Sequence, residues 1–115
     1  MLRDFTNSTP IIDNAAALAE RMARDGYLFF RGLLPPAEVA EVRRQFLQHA
    51  AQGGWVKDET GISRPENACK DPEPGYLKTF IPMWQLESLH RLKHHPDIVA
   101  VFERIFGEPC LVHPL

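Results

Sequence analysis

Residues 25–36, Asp-Gly-Tyr-Leu-Phe-Phe-Arg-Gly-Leu-Leu-Pro-Pro, constrain this chain more than any other stretch. They read as a helix end, a short buried strand, a turn and a new helix start. Gly26 stands where a helix closes on a left-handed residue. Tyr27, Leu28, Phe29 and Phe30 form an unbroken apolar run, the pattern of a strand covered on both faces. Gly32 ends the run. Pro35 and Pro36 suit a first helical turn, where a backbone N–H has no intrahelical partner to lose. So short and apolar a strand needs cover on each face, and the other segments are read as that cover.

The length of 115 residues predicts a single domain over 1–115, able to bury about two-thirds of its unfolded surface. Hydrophobic residues make up 44% and charged residues 24%, as in ordinary soluble globular proteins. The net charge is −2 with no basic stripe, which argues against a nucleic-acid partner. No apolar run approaches the roughly 18 residues of a membrane span. Arg3 and Asp4 open a polar N-terminus without an apolar signal core, so the expected location is cytoplasmic. Cys69 and Cys110 lie far apart and form no CxxC motif. They read as reduced thiols.

The start of the chain is polar and reads as loose as far as Ile11. Asp13 or Asn14 can cap a helix running to about Asp25. Ile11, Ala15, Leu18 and Met22 make its apolar stripe, and Glu20, Arg21 and Arg24 face away. A second helix covers about 36–52, with Val39, Val42, Phe46 and Ala50 as its buried stripe. Glu38 and Glu41 in its first turns suit the helix dipole. His49, near its end, reads as a capping or surface residue. Residues 53–75 form a long loop, either a lid over substrate or a mobile insertion, in which Trp55 and Val56 make a short strand or plug. Residues 76–81 read as a further extended segment carrying Lys78. Pro82 then opens a helix to about His94, and Pro96 a last helix to Phe106, closed by Gly107. Residues 110–115 read as another strand. The fold class expected is therefore α+β. Two or three short strands seldom make an independent sheet, so the chain either pairs with something or forms the front of a longer protein.

Few constellations offer chemistry. His90, His94 and His95 cluster, but no HExxH accompanies them and a solvated basic helix end explains them as well. His95-Pro96-Asp97 matches H-x-D literally. Pro96 fits a helix start, however, and His113 follows too closely to be the distal ligand of a facial triad. No GxSxG, GxGxxG or Walker pattern is present.

The run Asp25-Gly26-Tyr27-Leu28-Phe29-Phe30-Arg31-Gly32-Leu33-Leu34-Pro35, followed by a long amphipathic helix, resembles the N-terminal signature of the phytanoyl-CoA dioxygenase family. His94-His95-Pro96 through Phe106-Gly107, then Cys110 to Leu115, resembles that family's helix–glycine–strand passage. The resemblance implies a double-stranded β-helix (jelly-roll, cupin-like) oxygenase using Fe(II) and 2-oxoglutarate. This chain would supply its helical cap and first strands. Decarboxylation of 2-oxoglutarate then generates the oxidant that takes hydrogen from an unactivated C–H of a small-molecule or acyl substrate. By the same resemblance Lys78 reaches the 2-oxoglutarate carboxylate, and Leu115 lies on a strand packed against that co-substrate. The family's iron-binding H-x-D, distal histidine and 2-oxoglutarate-binding arginine have no counterpart here, so no metal ligand or catalytic residue is assigned and the chain alone is expected to be inactive. The alternative is a stand-alone α+β binding module that completes its sheet as a homodimer through exposed strand edges.

Overall fold

The computed structural model describes residues 4–57 and 74–113. A 3₁₀ turn, Thr9–Ile11, precedes five helices: α1 Ala15–Asp25, α2 Pro36–Gln52, α3 Pro74–Trp84, α4 Glu87–Lys93 and α5 Pro96–Phe106. Among the described residues there is no strand and no sheet. The expected α+β class, with the first strands of a jelly roll, is therefore corrected to a helical architecture. The chain divides into two compact units, Met1–Pro35 with His94–Pro114, and Pro36–Lys93.

The first unit is built on α1 against α5. The Asn14 side chain caps α1 by accepting the Ala17 N–H at 3.0 Å. Gly26, at φ 76°, closes it with an N–H to the Met22 carbonyl. This is the end that a left-handed glycine makes without a Cβ penalty. Leu18 of α1 and Val101 of α5 are buried. In α5 the His95 ring caps the start, accepting the Asp97 N–H at 3.2 Å, and Gly107 closes the end.

The run at residues 27–30 makes no ladder. It forms a single parallel bridge, Phe29 to Asn7, with the Ser8 N–H donating to the Phe29 carbonyl at 2.6 Å. The rest of the pairing comes from side chains. The Thr6 N–H donates to the Tyr27 hydroxyl at 3.0 Å, and the Arg31 N–H to Thr9 Oγ1 at 2.8 Å. Phe5 packs edge-on against Tyr27, ring centroids 5.0 Å apart. The N-terminal segment expected to be loose is thus the partner of the apolar run. Arg21, expected to face away, donates to the Asn7 carbonyl at 2.9 Å and to the hydroxyl of the fully buried Ser8. The described part of the final expected strand, residues 110–113, is irregular, with Leu111 fully exposed. A strand without neighbours leaves its backbone groups to water or side chains.

In the second unit α2 packs on α3 and α4. Among its described residues Ala50, Met83 and Thr79 are buried. Ser88 of α4 donates to the Gln45 side chain of α2. Gly53 comes so close to α3 that a Cβ there would lie 2.8 Å from the Thr79 Cβ. The expected extended segment at 76–81 is helix. Tyr76, Phe80 and Trp84 recur at i, i+4 and i+8, and their rings form a ladder with centroids 5.3 and 5.4 Å apart. Thr79 and Met83 share the same four-residue spacing. Pro82 does not open a helix but sits inside the last turn of α3. Its missing N–H leaves the Lys78 carbonyl without its usual helical donor. Trp55, expected in a strand or plug, extends the ladder by stacking on Tyr76 at 5.3 Å.

Candidate functional site

Lys78 stands in the second turn of α3, with an exposed side chain. It lines a cleft of about 430 Å³ with His49, Gln52, Gly53, Thr79 and Pro82. The cleft exists because the end of α2 meets α3 at Gly53. His49 and Gln52, three residues apart, lie in the last turns of α2 and so reach the same opening. The His49, Ala51 and Ala50 carbonyls accept the N–H groups of Gly53, Gly54 and Trp55 at 2.8–3.0 Å. The negative end of α2 is therefore largely satisfied before any ligand is considered.

A second cleft, about 290 Å³, lies in the first unit and is lined by Arg31, Arg104, Asp13 and Asp97 among others. Its charges offset each other. Arg104 pairs with Asp13 at 3.1 Å, and the Arg31 guanidinium lies 5.0 Å over the Phe29 ring. The perturbed acids lie outside both clefts. A hydrogen bond from Arg24 holds the Asp25 carboxyl below the usual carboxylate range, and one from Arg44 does the same for Glu41.

The histidines expected to cluster are separately engaged. His90 Nε2 lies 2.8 Å from the Trp84 carbonyl at the end of α3. The helix carrying His90 stops at Lys93, so His94 does not continue its face. His95 is the cap of α5, and Asp97 of the literal H-x-D supplies the backbone N–H that the ring accepts. His113 lies in the irregular segment after α5. Among the described residues no group of three metal-ligating side chains comes together. The iron implied by the resemblance therefore finds no site in them. Leu115 and most of the 53–75 loop lie outside the described residues. Cys110 is a half-buried free thiol. No described helix is long and apolar enough to cross a membrane.

The family resemblance implies a ligand role for Lys78, whereas the sequence gives His49 a capping or surface role and singles out nothing at Gln52. The one available signal was the Gly53-Gly54 stop, which marks a close approach of backbone as well as a helix end.

No family model matches the chain, and no solved structure matches it. Curated proteins do. It is 28% identical over 115 residues to the 1-deoxypentalenic acid 11-beta-hydroxylase of Streptomyces arenae. It is 26% identical over 116 residues to the protein of the same name from Streptomyces exfoliatus. The chain is similar to hydroxylases. The alignments take in 95% and 96% of this chain but 37% and 38% of the relatives. The chain thus spans less than two-fifths of the length of the curated relatives it matches.

Proposed function

We propose that this chain is the N-terminal helical part of a larger Fe(II)- and 2-oxoglutarate-dependent oxygenase of the phytanoyl-CoA dioxygenase type, one that hydroxylates an aliphatic carbon of a small organic acid. The observation that carries this reading is the similarity to two hydroxylases across 95% and 96% of the chain. The motif at residues 25–35 supports the finer family assignment, because the signature it resembles stands at the same place relative to a long helix. On this reading the iron ligands lie outside the described residues, among which no group of three metal-ligating side chains comes together. Here the chain's own contribution is a scaffold and Lys78, whose ammonium would pair with a carboxylate of 2-oxoglutarate.

The test uses the complete protein that carries this sequence, with Fe(II), dioxygen, 2-oxoglutarate and 1-deoxypentalenic acid as first probe substrate. Succinate formation that depends on the organic acid is expected. Lys78→Ala should raise the KM for 2-oxoglutarate by tenfold or more while leaving helix content unchanged. Hydroxylation that proceeds without 2-oxoglutarate removes the proposal. A Lys78→Ala enzyme with an unchanged KM removes the role of Lys78 alone.

A further inference from the structure

We propose that His95 makes the start of α5 a pH-sensitive latch: the neutral imidazole holds the first turn of the helix, and protonation of the ring releases it. One side chain decides because the turn has a single backbone donor in need of it. Pro96, at the first helical position, has no N–H. The N–H groups of Ile98 and Val99 both go to the His95 carbonyl, at 3.0 and 3.1 Å. The Asp97 N–H is left, and the His95 ring accepts it through Nδ1 at 3.2 Å. A backbone N–H can only donate, so Nδ1 carries no proton in this arrangement and the neutral ring holds its proton on Nε2.

Protonation makes both ring nitrogens donors. The Asp97 N–H then faces an N–H in place of a lone pair, and the new cation stands at the positive end of the helix. Both effects act against the cap. The opposing group is the Asp97 carboxylate, whose Oδ2 lies 3.7 Å from Nδ1. That side chain is 61% exposed, so water screens its pull. A charged ring that turns to bond the carboxylate also leaves the amide it capped, so the latch opens along either course. Asp13, Arg31 and Arg104 line the adjacent cleft together with Asp97. Arg104 pairs with Asp13 at 3.1 Å and Arg31 lies over the Phe29 ring. Among the described residues Asp97 is therefore the carboxylate in ion-pair contact with the imidazole. The buried Val101 lies beyond the released turn, so α5 stays packed on α1 while its start opens. Asp97 is one wall of that cleft of about 290 Å³, and the latch thereby sets the shape of the cleft. None of this depends on the oxygenase reading.

The experiment is amide hydrogen exchange followed by NMR on the isotope-labelled chain, from about pH 8 to about pH 5. Each rate is divided by that of an unstructured amide at the same pH. The Asp97 amide should lose protection about fivefold or more as pH falls, in step with the chemical-shift titration of the His95 ring. At the upper end of the range the ring nitrogen shifts should place the proton on Nε2. His95→Asn keeps a capping oxygen that does not titrate, and protection of the Asp97 amide should then stay level across the range. His95→Ser serves the same end, and circular dichroism at the upper pH confirms that each variant is helical. Asp97→Asn removes the carboxylate and keeps the backbone N–H, and protection should still fall with pH. Four results overturn the proposal: a neutral ring with its proton on Nδ1, Asp97 protection that does not change with pH, the same pH course in the His95 variants, or its disappearance in Asp97→Asn.

Discussion

Gly53 shows how much a single side-chain atom decides here. A Cβ at that position would lie 2.8 Å from the Thr79 Cβ and nearer still to its Oγ1 and Cγ2, and Thr79 is itself buried, so the contact would be overpacked. Gly53→Ala should destabilise the second unit by about 1–3 kcal/mol, the usual cost of overpacking a close contact. Urea denaturation of the two chains measures it. Its natural companion is Thr79→Ser, which removes a methyl from the contact and should recover part of the loss. Asn14 acts locally in the same sense. Replacing it by alanine removes the acceptor of the Ala17 N–H and should cost about 1 kcal/mol. Arg21 departs from its sequence expectation for a physical reason. Helical periodicity reports which face a residue occupies, whereas the length of an arginine lets it lie along the helix and bond a neighbouring segment. Its acceptors, Asn7 and Ser8, lie 14 and 13 residues away in the chain, beyond the reach of any local pattern.

At the level of elements, legibility followed the caps. For α1, the side-chain cap at Asn14 and the left-handed Gly26 were both written in the residue types. For α5, Pro96 at the start and Gly107 at the end were equally plain. The Pro36 start and the Gly53-Gly54 stop gave α2 its limits. The failures were the apolar segments. A short hydrophobic run fits a strand, a helix turn or an irregular segment, and only partners elsewhere decide. In residues 76–81 the aromatic spacing is helical, whereas Pro82 suggests a helix start because proline suits a first turn. It lies in the last turn instead, where its missing N–H frees the Lys78 carbonyl. Pro82→Ala should restore that donor and raise the thermal midpoint of the second unit, as calorimetry would show. On the outer face of α2, Glu41 accepts from Arg44 at 2.9 Å and from Gln45 at 2.8 Å. The hydrogen bond from Arg44 depresses its pKa. The sign follows: the contribution is present above the unfolded-state pKa and is lost as pH falls through the lower folded-state value. Helix content measured during acid titration should therefore fall less in Glu41→Gln than in the native chain over that window.

The described residues of the whole molecule are helical and turn segments, and each of the two units leaves apolar residues uncovered. In the first, Phe102 and Phe106 are 47% and 59% exposed and Leu111 is 100% exposed. In the second, Leu77, Ile81 and Trp84 on α3 are between 43% and 47% exposed. Apolar surface of this kind tends to be used or to cause association. The isolated chain should self-associate with rising concentration in sedimentation velocity, and Phe102→Ser with Phe106→Ser should shift it toward monomer. The expected sheet is the largest difference between sequence and structure: apolar runs such as residues 27–30 find no neighbouring strand among the described residues, only the bridge from Phe29 to Asn7. The central claim, that these helices serve a 2-oxoglutarate-dependent hydroxylase, is tested most directly with isotopically labelled dioxygen. The complete protein carrying this sequence is supplied with Fe(II), 2-oxoglutarate and the organic acid. One labelled oxygen atom should appear in the hydroxylated product and the other in succinate, in equal amounts. Label in the product with none in succinate would contradict the claim.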